Sequence, residues 1–308
     1  MSSTNVHLPL VINWHLTEAC NFHCRYCYAK WDRSGSPRDL VRSGPKRGAL
    51  LKAIHDYFRP DNPCNPLHDQ LTWDGLRLNL AGGEPLLYQQ ELPELLAQAL
   101  QVGFDTSIIT NGHVLSETSI ARIAPLLSWL GLSVDSHNED TNRIIGRADA
   151  RGRVITSPNL IRIAKAARNA NPNLRIKLNT VVNRLNYRES LAPLLDSIAP
   201  DKWKVLRVLP VVTDDLSISH SQFESFVASH YAYRTIMTVE DNSAMTESYI
   251  MLDPFGRFFQ NSVAPKQGYQ YSDPILDAGI DQAFDQIKFN AIRFQSRYGS
   301  QAPTGGAR

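Results

Sequence analysis

The sequence predicts an α/β fold, a partial (β/α)6 barrel with a C-terminal extension. Three observations predict it. Six strand-like segments alternate with helix-like ones through residues 1–210. Three of those strands carry a polar face opposite an apolar one. A tight group of cysteines follows the first strand directly.

The strands are expected at Val11–Leu16, Leu76–Leu80, Asp105–Thr110, Trp129–Val134, Leu174–Val182 and Trp203–Leu209. Helices are expected between them, at Arg47–Phe58, Gln90–Val102, Glu117–Leu127, Leu160–Asn169 and Leu191–Ile198. Helices of this length between strands indicate parallel βαβ units. In such a barrel the site is built at the C-terminal ends of the strands. Trp31–Pro45 reads as a loop, and Arg59–Asp69, with three prolines, as a surface excursion. After Pro210 the rhythm weakens: Ser221–Ser229 looks helical and Tyr249–Phe259 can supply short strands. This divides the chain into a core (1–210), an extension closing the active site (211–298) and a disordered tail (299–308).

Side chains alternate faces along a strand. Ile12, Trp14 and Leu16 oppose Asn13 and His15; Leu76, Leu78 and Leu80 oppose Arg77 and Asn79. In the fifth strand the polar face is Arg175, Lys177 and Asn179. If the apolar faces pack on helices, the polar ones line the lumen. Such a lumen holds water or a polar, anionic ligand.

With 32 Lys and Arg against 30 Asp and Glu, the formal net charge is +2. A general nucleic-acid binder would be strongly basic, so direct nucleic-acid binding is not expected. No apolar run approaches the roughly 20 residues of a membrane span, and Met1–Leu10 is too polar for a signal peptide. A cytoplasmic monomer without membrane contact is expected. Three of the four cysteines lie within eight positions, too close for disulfides, and point to metal or cluster ligation.

Cys20, Cys24 and Cys27 have the spacing C-x3-C-x2-C. Three thiolates on one tight loop can hold three corners of a 4Fe-4S cluster and leave the fourth iron open. A zinc site completed by His15 or His23 is the alternative that ligand count allows. Cys64 has no partner nearby and reads as a plain thiol.

At this motif, with aromatic Tyr26 before the third cysteine, the chain resembles the radical S-adenosylmethionine (SAM) superfamily. Gly82-Gly83-Glu84-Pro85 after the second strand resembles that superfamily's GGE element, which receives the SAM amino group. Thr110-Asn111-Gly112, Ser133 and Arg147 resemble further SAM-holding positions. The resemblance extends to the viperin family over roughly Leu10–Tyr298. It is carried by Val11-Ile12-Asn13-Trp14-His15-Leu16-Thr17, by Leu132-Ser133-Val134-Asp135-Ser136 and by the stretch Ile176–Arg184. Lys202-Trp203-Lys204-Val205, Ser248-Tyr249-Ile250-Met251-Leu252-Asp253 and Ile275-Leu276-Asp277-Ala278-Gly279 add to it.

The resemblance implies a 4Fe-4S cluster and SAM as cofactors, an electron donor of flavodoxin or ferredoxin type, and a ribonucleoside triphosphate substrate. The implied reaction abstracts the 4′ hydrogen and loses the 3′ hydroxyl as water. One more electron and a proton give a 3′-deoxy-3′,4′-didehydro nucleotide, an antiviral RNA chain terminator. Arg77, Lys177 and Lys204 match phosphate-contacting positions, Arg77 standing where the animal pattern has Lys; Asn13 matches a sugar contact. Arg207 and Asn79 are further substrate candidates, although Lys204 and Arg207 have opposite strand parity. Tyr298 is the candidate hydrogen donor, and Glu240–Met245 matches a family stretch that lies near the nucleotide. CTP, UTP and GTP all remain open as substrates. The competing readings are a peptide- or cofactor-maturing radical SAM enzyme, although no cysteine follows Cys64, and a non-catalytic zinc or Fe–S protein.

Overall fold

The computed structural model of the chain describes residues 9–27, 36, 38–210, 213–241, 246–261 and 269–299, with backbone alone for 296–299. The six expected strands form as β1 (Leu10–His15), β2 (Leu76–Ala81), β3 (Asp105–Thr110), β4 (Trp129–Ser133), β5 (Arg175–Val182) and β6 (Lys202–Arg207). Four more follow: β7 (Met237–Glu240), β8 (Ile250–Leu252), β9 (Arg257–Asn261) and β10 (Tyr269–Pro274). All ten join one open sheet in the order β10-β9-β8-β1-β2-β3-β4-β5-β6-β7. Strands β1 to β8 pair in parallel, and β9 and β10 are antiparallel. The sheet does not close, which is the partial barrel expected, widened by C-terminal strands on both edges.

Helices cross between the strands: α1 (Gly44–Phe58), α2 (Leu92–Val102), α3 (Glu117–Ile123), α4 (Glu139–Ile145), α5 (Ser157–Ala170) and α6 (Ala192–Ile198). The apolar strand faces bury against them. Ile12, Trp14, Leu78, Leu80, Leu50, Ile54, Leu95 and Leu96 belong to one continuous core. Later come α7 (His220–Ser229), α8 (Ile275–Ala278), α9 (Ile280–Asp285) and α10 (Ala291–Gly299). No helix among the described residues is long and apolar enough to cross a membrane.

Three expectations are corrected. The loop placed at Trp31–Pro45 ends earlier, because Gly44 and Pro45 already form the first turn of α1. Proline suits that turn, where its missing N–H has no partner to lose; residues 28–35 and 37 lie outside the described residues. The Arg59–Asp69 excursion is anchored. Asn65 caps a short 3-10 turn over Pro66–Asp69, and Asn65 and Leu67 are buried. Helix α4 was not expected, yet its ends are marked: Asn138 accepts from the Asp140 and Thr141 amides, and Gly146 stops it in the left-handed region.

Two glycines set how closely the loops above the strands can meet. The Gly83 amide donates to the Thr17 carbonyl at 2.8 Å, and a Cβ on Gly83 would stand 1.9 Å from the Ala19 carbonyl oxygen. At Gly146 (φ +88°) a Cβ would stand 2.3 Å from the His23 carbonyl. Both contacts are with backbone, which cannot rotate away. Gly83→Ala therefore costs about 3 kcal/mol or more through overpacking, read by urea denaturation, and lowers iron uptake by the cysteine loop. Gly48→Ala, whose Cβ meets nothing within 4 Å, raises stability by up to about 1 kcal/mol as a helix substitution. Equal stabilities for the two variants would refute the close-approach argument.

Candidate active site

The cysteine loop leaves β1 at the C-terminal end of the sheet and is fixed from both sides. Gly82 to Glu84 grip it from below: the Glu84 amide donates to the Ala19 carbonyl at 2.8 Å. The turn after α4 grips it from the other side, where the His23 amide donates to Gly146 and the Arg25 amide to Ile145. The Glu84 carboxylate is buried and accepts from Thr110 Oγ1 (2.6 Å), the Asn111 amide (2.8 Å) and the Leu86 amide (3.0 Å). Burial raises its pKa, and those three donors oppose the rise. Asn111 Nδ2 donates to Asn21 Oδ1 at 2.7 Å and reaches Cys20 Sγ at 3.9 Å.

Arg147 is the second anchor. It is buried, donates through Nη2 to the Ser133 carbonyl (2.6 Å) and through Nη1 to Tyr26 Oη (3.1 Å), and pairs with Asp135 at 3.5 Å. Tyr26 also donates to Asp135. Burial works against the Arg147 charge, but Asp135 and Tyr26 outweigh it and hold the guanidinium protonated. Burial, then Asp135, raises the Tyr26 pKa well above its ordinary value. The structure thus brings together Tyr26, Gly82, Gly83, Glu84, Asn111, Ser133 and Arg147 around the cysteines. Sequence reasoning left Asp135 without a role. The signal was present, since Asp135 stands two residues after Ser133 where β4 ends.

The donor set fits a cluster. Burial pushes Cys20 up to about 11 and Cys24 up to about 12; the charge of Cys27 adds to the rise at Cys20, and those of Cys27 and Cys20 to the rise at Cys24. The Phe22 amide donates to Cys20 Sγ at 3.4 Å, a bond that favours a thiolate. Among the described residues no three His, Cys, Asp or Glu side chains converge on one ion. A cubane does not ask them to, because each cysteine ligates a separate iron.

Below the loop the register builds a polar wall. Asn13 lies opposite Asn79, Asn79 opposite Ser107, and Ser107 opposite Trp129. Asn79 Nδ2 donates to Asn13 Oδ1 and Ser107 Oγ to Asn79 Oδ1, both at 2.8 Å. His15 shares the Asn13 face, meets Phe259 edge-on at 4.9 Å, and is held neutral by burial with its pKa lowered to about 4. The same face of β5 and β6 carries Lys177 opposite Lys202, and Asn179 opposite Lys204. Lys204 pairs with Glu240 at 2.8 Å, and Tyr249 Oη bridges the two at 3.1 Å from each. Burial, then Lys204 and Lys202, lowers the Lys177 pKa to about 7, with Glu240 opposing. Arg77 Nε donates to Asp105 at 2.6 Å.

The sheet separates Arg207 from this group. Its register partner is Val182, a core residue, so it faces away from Lys204 and meets Asp241 (3.4 Å) and the Ile218 carbonyl (2.8 Å). No bulge intervenes to turn it inward. The inward cation that sequence reasoning missed is Lys202. It shares parity with Lys204, but the strand was expected to begin one residue later, at Trp203. Tyr298 lies in α10 with its side chain outside the described residues, as does the stretch 242–245. Among the described residues, Tyr249 has a hydroxyl that reaches a lumen cation, Lys204.

Lys177 gives a pH prediction. Unfolded, it titrates near its ordinary value of 10.5; folded, near 7. Between these values the unfolded chain binds the extra proton, so this group's penalty to folding is full below pH 7 and fades as pH rises toward 10.5. Lys177→Met is therefore more stable than the parent at pH 7, and the gap narrows by about pH 9.5. Urea denaturation at the two pH values checks this; a constant gap would show that Lys177 keeps its proton.

Comparison with known proteins places this geometry. The model of the radical SAM superfamily matches residues 14–198. A protein of Pseudoalteromonas ulvae named S-adenosylmethionine-dependent nucleotide dehydratase is 41% identical, over 94% of this chain and 93% of that one. A protein of the same name from Psychrobacter lutiphocae is 42% identical, over 94% of each. One from Danio rerio, with RSAD2 added to that name, is 28% identical over 94% of this chain and 77% of that one. Among solved structures, anSMEcpe with bound AdoMet and the Kp18Cys peptide superposes with a TM-score of 0.66 at 15% identity, covering 93% of this chain and 84% of that one. Streptococcus suis SuiB bound to the precursor peptide SuiA gives 0.56 at 15% identity, covering 92% and 62%. The two likenesses to solved structures concern the fold; the sequence relatives go further, and the chain belongs to the radical SAM superfamily and, within it, to the viperin-like nucleotide dehydratases.

Proposed function

We propose that this chain dehydrates a ribonucleoside triphosphate (CTP, UTP or GTP) to its 3′-deoxy-3′,4′-didehydro analogue. One observation carries the reading. The cysteine loop caps one end of the lumen, and farther down stands Lys177, crowded by Lys204 and Lys202 with Glu240 as the opposing carboxylate. Like charges placed opposite each other destabilise a sheet. A polyanion bound among them turns that cost into affinity.

Cys20, Cys24 and Cys27 would hold a 4Fe-4S cluster, and Glu84, Asn111, Ser133, Tyr26 and Arg147 surround the place where SAM would bind. Together the two cofactors supply a 5′-deoxyadenosyl radical. The chain's own residues then have three tasks. Lys177, Lys202, Lys204 and Arg77 grip the phosphates. Asn13 and Asn79 orient the ribose so that its 4′ hydrogen faces the cysteine end. Glu84 and Arg147 keep the loop in place from buried positions that exclude water. Loss of the 3′ hydroxyl as water leaves a nucleotide radical that needs one hydrogen atom.

Beside Tyr298, Tyr249 is a second candidate donor of that atom. Its hydroxyl stands in the lumen within 3.1 Å of Lys204 and Glu240. Giving a hydrogen atom leaves a tyrosyl radical, which an electron from a flavodoxin or ferredoxin and a proton restore. Glu240 ends β7 and Tyr249 immediately precedes β8, so region 211–298 completes and closes the site in this reading. The protein acts as a monomer in the cytoplasm, and a product without a 3′ hydroxyl stops an RNA chain.

The test is anaerobic reconstitution, then incubation with SAM, dithionite and each of ATP, CTP, GTP and UTP. Mass spectrometry should find 5′-deoxyadenosine together with a nucleotide lighter by one water, both stimulated by a preferred base. Deoxyadenosine at the same low level with all four would end the nucleotide reading and favour peptide substrates. Cys24→Ala abolishes cluster absorbance and all SAM cleavage. Lys177→Met leaves the cluster intact but weakens triphosphate binding at least about 10-fold, the loss of a charge-assisted contact. Tyr249→Phe still cleaves SAM while forming dehydrated nucleotide on the order of 10²-fold more slowly, the usual scale for a positioned transfer group. An unchanged product yield in that variant would remove Tyr249 from the step.

A further inference from the structure

In the lowest layer of the lumen, Arg77 has neighbours that the proposed reaction has not used. Arg77 is the second residue of β2, Asp105 the first of β3, Trp129 the first of β4 and Arg175 the first of β5. All four stand at the N-terminal mouth of the sheet, away from the cysteine loop. Arg77 Nε donates to Asp105 at 2.6 Å, and its guanidinium lies 5.8 Å from the centre of the Trp129 ring. Arg175 lies 5.5 Å from the same ring. Among the described residues, neither terminal nitrogen of Arg77 makes a hydrogen bond to protein.

This arrangement is a pre-set fork. A guanidinium has five N–H groups in one plane. Asp105 takes the one on Nε and fixes the plane's rotation. The guanidinium carbon sits over the Trp129 ring, where a cation–π contact restrains its position. The edge left over is the one that binds a phosphate bidentately. Asp105 otherwise makes little sense beside an anion site, since its charge opposes the anion. Its side chain is 37% exposed, and a pair this open adds little to stability. Orientation is the role that remains.

Position says which phosphate the fork meets. The reacting ribose must lie toward the cysteine end. From Arg77 to Gly82 is five residues of strand, about 16 Å at a ~3.3 Å rise. The phosphate chain runs down that length, so Arg77 meets its far end. We infer that Asp105 and Trp129 are positioning residues that hold Arg77 against the terminal phosphate, so that the chain selects a nucleoside triphosphate over the diphosphate. This rests on the nucleotide reading above.

The experiment uses the reconstituted holoenzyme with the four nucleoside triphosphates and their diphosphates, measuring Kd by calorimetry and kcat and KM by product formation. The parent should bind its preferred triphosphate at least about 10-fold tighter than the diphosphate, the worth of one charge-assisted bidentate contact. Asp105→Asn and Trp129→Ile should each cut that ratio to about 2- or 3-fold by raising triphosphate KM while kcat holds. Asp105→Glu should recover part of it. In Arg77→Lys, which has no fork to orient, adding Asp105→Asn should change nothing further. An unchanged ratio in Asp105→Asn, or additive losses in the double variant, would overturn the inference and leave the nucleotide reading standing. A parent that binds none of the eight nucleotides would overturn both.

Discussion

The site depends on one register, that of β1 against β2. Leu10 to His15 lie opposite Leu76 to Ala81 residue for residue. This pairing sets Asn13 beside Asn79, and it lifts Gly82 to Glu84 to the height at which they meet Thr17 and Ala19. A slip of β1 by one residue would turn Trp14 into the lumen and Asn13 into the core. It would also move the GGE turn off the cysteine loop. Glu84 and the cysteines are far apart in sequence and are neighbours only because two parallel strands end together.

The two ends of the lumen handle charge in opposite ways. At the cysteine end every buried charge has its counterpart: Arg147 has Asp135 and Tyr26, and Glu84 has three donors. That end is paired before anything binds. Farther down, Lys177 keeps company with Lys202 and Lys204, and Glu240 is the carboxylate that relieves it. Stability is given up there. Consistency across levels usually fails where a protein works, and here it fails where a polyanion would lie.

Much of this was legible in the sequence. Strand alternation marked all six core strands to within a residue or two, and parity sorted Asn13, Arg77, Asn79 and Lys177 onto the lumen side. Arg207 was kept as a candidate against its own parity, which the register bears out, and Lys202 was missed because β6 starts one residue before its apolar run. Helix α4 escaped because a seven-residue helix shows almost no 3.6-residue stripe; only its caps announce it. Tyr249 was passed over because nothing in the local pattern marks it. Its place in the lumen depends on β8 joining β1, a pairing of Ile12 with Ile250 that no local signal encodes.

The fold itself does not choose the substrate. The same open sheet carries enzymes seen with peptides bound. What separates this chain is the chemistry of the lumen wall. A peptide backbone offers dipoles, which cannot repay the burial of Lys177 beside two more lysines. A triphosphate offers full charges spaced along a chain, and the cations are spaced along strands in the same way. Arg77 sharpens the point. A lysine there would follow an anion wherever it moved, whereas an arginine tied to Asp105 and backed by Trp129 can bind in one direction only. An enzyme that must present one ribose hydrogen to a radical gains from an anchor that cannot swing, because the far end of the phosphate chain then fixes the position of the sugar.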